Sequence, residues 1–203
     1  MSAPRSLVGA IVAGGASSRF DGAAKGLRTV GGHRIIDRVG DALRAVTSEL
    51  ILLSNAEDAE CWLPGVTVIR DARSERGSLV GLHTALTHTS SPILVVAWDM
   101  PFVTGELLAL IVSRSVHEHF ATLPTGVQGP EPFCATYTPA CLPFVETALG
   151  SGDLRMSSML RRLPSATLIP TSEVARIGDP ARLFFNVNTL HDLTVAEEMD
   201  AAR

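Results

Sequence analysis

Short, continuous apolar runs alternate with segments of helical period along the first half of the chain. Four runs rich in Val, Ile and Leu have the character of strands buried on both faces of a parallel sheet: residues 7–13, 50–54, 66–69 and 93–97. Between and after them, apolar residues recur at helical spacing within 35–46, 79–86 and 107–112. Because parallel strands need crossover connections, usually helices, this pattern predicts a Rossmann-like three-layer α/β/α fold with a mostly parallel sheet.

The rhythm changes after residue 116. Strand-like pieces at 121–123 and 133–138 lie on either side of the turn-rich segment 126–130, which predicts an antiparallel addition to the sheet. Helical stretches at 140–149 and 154–163, short strands at 167–169 and 184–187, and a final helix to residue 203 complete the expected order. With no internal repeat and no low-complexity linker, we expect a single domain over 1–203.

Composition narrows the class of protein. The 203 residues are 46% hydrophobic and only 5% aromatic, so an aliphatic core is expected. A net charge of −4 without a run of Lys or Arg argues against a nucleic-acid partner. The three cysteines form no Cys-x-x-Cys pair, which suits free thiols in a reducing cytoplasm. The apolar stretch at 7–13 is too short for a membrane span, so we expect a cytoplasmic protein without a membrane partner.

A glycine-rich segment follows the first predicted strand. It begins with Ala13, Gly14 and Gly15 and continues through Arg19 to Lys25. Adjacent glycines let backbone N–H groups approach an anion, and the two cations can neutralise a triphosphate. The spacing fits neither Gly-x-Gly-x-x-Gly nor the P-loop. A strand-ending turn with two surface cations is the plainer alternative, but the combination favours a phosphate-binding loop.

Asp99 directly follows the predicted strand 93–97 and stands before Met100-Pro101. In an open α/β sheet, ligands bind beyond the carboxyl ends of the strands, so this carboxylate is expected in the same crevice as the glycine-rich loop. Magnesium takes one or two carboxylates together with phosphate oxygens. The alternative role, capping the next helix, already has a candidate in Thr104. The position therefore predicts Asp99 as a magnesium ligand.

Two further polar positions follow predicted strands. Asp71 comes shortly after the predicted strand 66–69. Taken alone, this segment is more often a turn and a helix cap than a binding site. Asn186 and Asn188 alternate within the predicted strand 184–187 and its end, so both are expected on one face. Paired amides can hold substrate oxygens or complete a metal shell, although they usually satisfy local backbone groups.

Taken in order, these segments resemble the molybdenum cofactor guanylyltransferase family and its wider nucleotidyltransferase relatives. The resemblance spans nearly the whole chain and rests on Val12 to Gly15, Arg19, Lys25-Gly26-Leu27, Asp71, Gly77 to Leu82, Asp99-Met100-Pro101-Phe102, Pro132 to Tyr137, Leu142-Pro143 and Asn186 to Thr189. It departs from the family pattern chiefly at Phe20, Asp21 and Ala24 in the loop, at Ser78 and Val80, at Trp98, and at Leu190-His191.

The resemblance implies transfer of GMP from GTP to molybdopterin with release of pyrophosphate, with Mg²⁺ as cofactor. Residues 7–116 would bind the nucleotide and 117–203 the acceptor, with transient contacts to cofactor-loading proteins or apoenzymes. The implied nucleotide-binding residues are Val12, Ala13, Gly14, Gly15, Lys25, Asn55, Asp71 and Asp99. Arg19, Lys25 and Asp99 would be catalytic, Asp99 would hold the metal, and Asn186 and Asn188 would bind the acceptor.

Two alternatives stay open at this point. One is a cytidylyltransferase, or a nucleotidyltransferase for another phosphorylated acceptor, since nothing in the loop identifies the base. The other is a catalytically silent adaptor of the same fold, motivated by the loop substitutions.

Overall fold

The computed structural model describes residues 7–13, 25–71, 77–115 and 119–202. The strands are β1 (Val8–Val12), β2 (Thr29–Val30), β3 (His33–Arg34), β4 (Glu49–Leu53), β5 (Thr67–Ile69), β6 (Ile93–Ala97), β7 (Ala121–Gly126), β8 (Gly129–Pro130), β9 (Cys134–Tyr137) and β10 (Ala166–Ile169). The helices are α1 (Ile35–Arg44), α2 (Ser78–His88), α3 (Gly105–Arg114), α4 (Leu142–Gly150), α5 (Met156–Leu160), α6 (Thr171–Val174), α7 (Pro180–Leu183) and α8 (Leu190–Ala201). Short 3-10 turns cover Lys25–Leu27, Ala59–Cys61 and Pro139–Cys141.

Eight of the described strands form one large mixed sheet in the order β10-β7-β9-β6-β1-β4-β5, with β8 paired to β7. β1 is central and runs parallel to both β4 and β6, in a register that aligns Val12 with Leu53 and with Ala97. β5 extends this parallel part beyond β4. β9 joins β6 antiparallel and carries β7, so the predicted antiparallel addition is confirmed. β2 and β3 make a small separate hairpin that the sequence pattern did not predict.

Two apolar clusters cover the two faces of the sheet and confirm the three-layer arrangement. One face buries Ile11 and Leu94 against α1, α3 and α8, and the other buries Ala10 and Ile93 against α2, α4 and α5. All five residues of β1 are buried, as continuous apolar strands of a parallel sheet should be. In the part of the chain that the structure describes, no helix is long and apolar enough to cross a bilayer.

The strand predicted at 184–187 is wrong. Asp179 caps a short helix through a hydrogen bond from Ala181 N, and Pro180 occupies its first turn, where its fixed φ suits a helix. The chain after α7 is irregular, and the Asn186 amide donates to the Phe184 carbonyl at 2.8 Å. Local side-chain and proline chemistry therefore overrides the apolar pattern. α5 and α8 also end earlier than predicted, at Leu160 and Ala201.

Candidate functional site

The carboxyl ends of four parallel strands meet at one edge of the sheet. The residues that follow these strands are Ala13 after β1, Ser54 after β4, Arg70 after β5 and Trp98 after β6. Ladder bonds continue past the strand ends, with Ala13 N donating to Leu53 O at 2.9 Å and Trp98 N to Val12 O at 3.2 Å. Since neighbouring strands lie about 4.8 Å apart, the edge from β6 to β5 is about 14 Å wide. An extended ligand can lie along it.

Lys25, Asp99 and Asn188 come together at the β6 end of this edge. The Lys25 ammonium donates to Asp99 Oδ2 and, at 2.8 Å, to Asn188 Oδ1. The two charged side chains are only 16% and 8% exposed, so solvent screens their attraction weakly. Val187 N also donates to the Asp99 carbonyl at 2.9 Å, which holds the Asn188 segment against the strand end. Three residues predicted separately from the sequence thus form one cluster.

The second carboxylate oxygen of Asp99 is buried and has no hydrogen-bond partner among the described residues. An unpaired buried carboxylate oxygen is costly unless a ligand satisfies it. A hard cation fits, since Mg²⁺ completes its octahedron with phosphate oxygens and waters around one or two carboxylates. Within the described ranges, no group of three or more His, Cys, Asp or Glu gathers to form an all-protein metal cage. Asp99 is therefore the metal-ligand candidate among these residues.

Gly26, the residue after Lys25, lies against the indole ring of Trp98. A Cβ placed on Gly26 would overlap the Trp98 indole, lying 2.7 Å from Cδ2, so only glycine lets the turn after Lys25 lie on this ring. Trp98 also stacks on Trp62, with ring centroids 5.2 Å apart and planes inclined by 17°. The sequence analysis did not predict this packing of Gly26 on Trp98. The glycine directly after Lys25 is the sequence feature that indicates it.

Asn55 and Asp71 lie together at the β4 and β5 end of the edge. Asn55 Nδ2 donates to Asp71 Oδ2, and Asp71 N donates back to Asn55 Oδ1, both at 2.8 Å. Thr84, a buried residue of α2, donates to Asp71 Oδ1 at 2.8 Å. The side chains of Asn55 and Thr84 hold the Asp71 carboxylate in one orientation. The signal for Thr84, a polar residue on the apolar face of a helix, was available in the sequence but was not used.

Asn188 is positioned by the start of α8. Its backbone N donates to Asp192 Oδ2 at 2.9 Å, and Asp192 N donates to Thr189 Oγ1 at 3.1 Å. This is a variant of the capping box, readable as Thr-x-x-Asp at 189–192, in which the Asp192 carboxylate accepts from the residue before the N-cap Thr189; the sequence pattern alone did not predict it. Asn186 turns instead to the Phe184 carbonyl. The prediction that the two asparagines share one face of a strand is therefore wrong.

A cavity of about 450 Å³ adjoins the Lys25 cluster and shares Asn188 with it. Asn186, Phe184, Phe185 and Glu131 are among its lining residues. Burial raises the pKa of the Glu131 carboxyl above its ordinary value of 4.5. The sequence pattern gave no sign of Glu131, because only the tertiary fold brings 131 to the segment after α7.

The rest of the predicted loop contributes less to the geometry. Val12 and Ala13 are buried at the end of β1, and α2 packs closely on Val12, whose Cγ1 would lie 3.1 Å from a Cβ on Gly81. The predicted site residues Gly14, Gly15 and Arg19 lie outside the described residues, as do the substituted positions Phe20, Asp21 and Ala24.

Known proteins resemble this chain over most of its length. Residues 9–167 match the family model of the MobA-like NTP transferase domain. A molybdenum cofactor guanylyltransferase of Desulfosudis oleivorans is 31% identical over 195 residues, which cover 94% of each chain. A probable molybdenum cofactor guanylyltransferase of Deinococcus radiodurans is 35% identical over 190 residues, which cover 92% of each. The crystal structure of molybdopterin-guanine dinucleotide biosynthesis protein A from Archaeoglobus fulgidus superposes with a TM-score of 0.81 at 26% identity, over 97% of this chain and 100% of that one.

The mixed α/β sheet, with a cation and a carboxylate beyond its parallel edge, therefore belongs to an NTP transferase, the class whose family model the chain matches. A nucleotidyl transferase from Methanothermobacter thermautotroptrophicus shares the fold, with a TM-score of 0.74 at 18% identity over 98% of this chain and 99% of that one. The chain belongs to the molybdenum cofactor guanylyltransferase family of MobA-like NTP transferases.

Proposed function

We propose that the protein transfers GMP from GTP to the terminal phosphate of molybdopterin and releases pyrophosphate. The observation that carries the proposal is the Lys25–Asp99 pair, whose carboxylate keeps one buried oxygen without a partner among the described residues. The names of the relatives supply the substrates: a molybdenum cofactor guanylyltransferase joins a guanine nucleotide to this cofactor.

Asp99 would hold a divalent cation, Mg²⁺ in this proposal, through its Oδ1 atom. When bound, that ion polarises the reacting phosphate and neutralises its charge. Lys25 uses two of its three N–H donors on Asp99 and Asn188 and has one left for a phosphate oxygen. The acceptor phosphate is already an anionic nucleophile, so alignment and charge neutralisation are the main requirements, and a general base is not needed.

The nucleoside would lie along the parallel edge, over the ends of β1, β4 and β5. Val12 and Ala13 border the position of the phosphates, and Asn55 with Asp71 offers an oriented amide and carboxylate to the nucleoside. Gly14, Gly15 and Arg19 keep their predicted roles in binding and neutralising the triphosphate. Asn188 and Asn186 line the cavity on the opposite side of Lys25 and would contact the acceptor.

In this proposal residues 7–116 bind the nucleotide and residues 117–203 bind the acceptor, within a single domain. We place the protein in the cytoplasm, with transient contacts to the proteins that load or receive the cofactor.

The test is pyrophosphate release with molybdopterin, Mg²⁺ and each of GTP, CTP, ATP and UTP in turn. GTP should support turnover at least about 100-fold better than the others, and Asp99→Asn should abolish it, whereas Asp41→Asn, which removes an exposed carboxylate paired with Arg44 on α1, should not. Turnover with CTP alone would make the protein a cytidylyltransferase. Tight binding of GTP without pyrophosphate release would make it an adaptor.

A further inference from the structure

Glu131 is a half-buried carboxylate that forms no hydrogen bond or ion pair with the residues that the structure describes. Its backbone is nevertheless fixed, because Glu131 N donates to Pro124 O at 2.9 Å and Cys134 N donates to Glu131 O at 3.1 Å. The carboxylate lies over Gly126 in the hairpin of β7 and β8. A Cβ on Gly126 would lie 3.2 Å from Glu131 Cδ and 3.0 Å from Phe184 Cδ2. Backbone hydrogen bonds thus hold a half-buried carboxylate, which has no protein partner among the described residues, beside an aromatic ring.

The surroundings of this carboxylate form one wall of the cavity next to Asn188. Phe184 and Phe185 supply aromatic surface, while Asn186 and Gln128 supply amides. A planar heterocycle can pack on such rings and present its polar edge to a carboxylate. An ionised carboxylate has two acceptor oxygens and no donor, so its complement is a ligand with two adjacent N–H donors.

We propose that Glu131 determines the specificity of the acceptor pocket for a 2-amino-4-oxopteridine. Its two oxygens accept hydrogen bonds from the ring N–H and the neighbouring exocyclic amino group of the pterin. This inference rests on the proposed function, in which the acceptor is a molybdopterin, and adds to it the residue that selects the heterocycle.

Guanine presents the same pair of N–H donors, so the base of GTP is an alternative ligand for the Glu131 carboxylate. Two placements favour the pterin. Glu131 lies on the antiparallel side of the sheet, between β7 and β9, and Asn188 connects its cavity to Lys25. The Asn55 and Asp71 cluster stands at the far end of the parallel edge, where the nucleoside is proposed.

The kinetic test compares wild type with Glu131→Gln, which exchanges one acceptor oxygen for a donor at nearly constant shape. At saturating GTP and Mg²⁺, the KM for molybdopterin should rise about 10-fold or more, because a hydrogen bond to a charged group is lost and a donor faces a donor. The KM for GTP and the kcat should stay within about twofold. Glu198→Gln, which removes an exposed carboxylate from α8, is the matched control and should change neither constant. An unchanged molybdopterin KM overturns the inference, and a selective rise in the GTP KM assigns the cavity to the base instead.

A binding test separates this inference from the proposed activity. Titration calorimetry with 6-hydroxymethylpterin and with pteridine-2,4-dione, which carries a carbonyl in place of the amino group, measures the preference directly. Wild type should bind the pterin at least about 10-fold more tightly, and Glu131→Gln should lose that preference. Preference without pyrophosphate release would support Glu131 and reject the proposed transfer. Transfer by wild type with equal affinity for both ligands, or with a preference that survives in Glu131→Gln, would reject the role of Glu131 alone.

Discussion

Lys25 and Asp99 are 74 positions apart in the chain, yet their side chains form a partly buried ion pair at the end of β6. Asp99 lies just beyond β6 and Lys25 in the 3-10 turn Lys25–Leu27, and the two side chains meet at the edge where β1 and β6 end in parallel. The pair gives the site a positive and a negative group in direct contact. A phosphate–metal complex can bind to both.

Removing either member of this pair should affect turnover differently. Lys25→Ala should lower kcat by about 100-fold, equivalent to about 2.7 kcal/mol, which is typical for losing one preorganised donor. Asp99→Ala should leave no measurable turnover because the proposed metal ligand is lost. Single-turnover pyrophosphate release over a range of Mg²⁺ concentrations checks both. Recovery of Asp99→Ala at high Mg²⁺ would mean that other groups hold the ion.

Gly26 should tolerate no side chain while Trp98 stays in place. Gly26→Ala forces the turn off the indole and should destabilise the fold by about 1–3 kcal/mol, the usual cost of overpacking, with a lower kcat because Lys25 moves. Combining it with Trp98→Leu should cost less than the sum of the two single changes, since the smaller side chain leaves room for the methyl group. Thermal unfolding of the four proteins completes the cycle. Additive costs would contradict the steric explanation.

Thr84 should affect nucleotide binding although it lies on a helix behind the edge. Thr84→Val keeps the shape but removes the hydroxyl that donates to Asp71 Oδ1. We expect the KM for GTP to rise several-fold while the KM for molybdopterin is unchanged, because one oxygen of a positioned carboxylate loses its donor. Thr87→Val, one turn along α2, removes a hydroxyl that bonds only to helix carbonyls and is the control. Equal effects on the two substrates would point to a general loss of structure.

The capping box at the start of α8 should control Asn188. Asp192→Ala removes the acceptor for Asn188 N and should cost about 1 kcal/mol of stability, as helix-cap losses typically do. Its effect on the molybdopterin KM should resemble that of Asn188→Ala, and the double variant should show little further change. A double variant with multiplied defects would show that Asp192 acts independently of Asn188.

The stability of Glu131→Gln should exceed that of wild type at neutral pH. Burial raises the pKa of this carboxyl in the folded protein above 4.5, so the ionised form disfavours folding. The gain for the variant is full above that raised pKa. The gain in stability shrinks as the pH falls through the raised pKa of the folded protein. It vanishes below the pKa of the unfolded chain, where the wild-type carboxyl is also neutral. Melting temperatures between pH 7 and pH 3 should show this convergence; a variant less stable at pH 7 would reveal a stabilising partner for the carboxylate.

The sequence pattern predicts the parallel half of the fold and places Lys25 and Asp99 in one crevice, and the structure brings these two side chains into contact. The apolar runs at the positions of β1, β4, β5 and β6 predicted both the strands and the edge where their polar successors meet. Asp99 follows from that edge, because the ends of neighbouring parallel strands lie together, whereas Lys25 is predicted from the charge of the glycine-rich segment.

The acceptor side could not be predicted to the same depth. The irregular segment after α7 was mistaken for a strand, since Asp179 and Pro180 form a local helix that an apolar pattern does not reveal. Thr84 acts by donating to Asp71, and Asp192 acts by accepting from Asn188 N. Glu131 lines its cavity because it packs against the β7 and β8 hairpin. These are tertiary relationships, and the period of the sequence carries no information about them.

The stacked indoles also make the site observable. The chain has two tryptophans, and both belong to the stack beneath Gly26. Tryptophan is the strongest near-ultraviolet chromophore among the side chains, and the chain has one tyrosine, so this packed pair should dominate the near-ultraviolet circular dichroism of the protein. Any movement of the turn that carries Lys25 changes the signal, which gives an optical record of nucleotide arrival without a label.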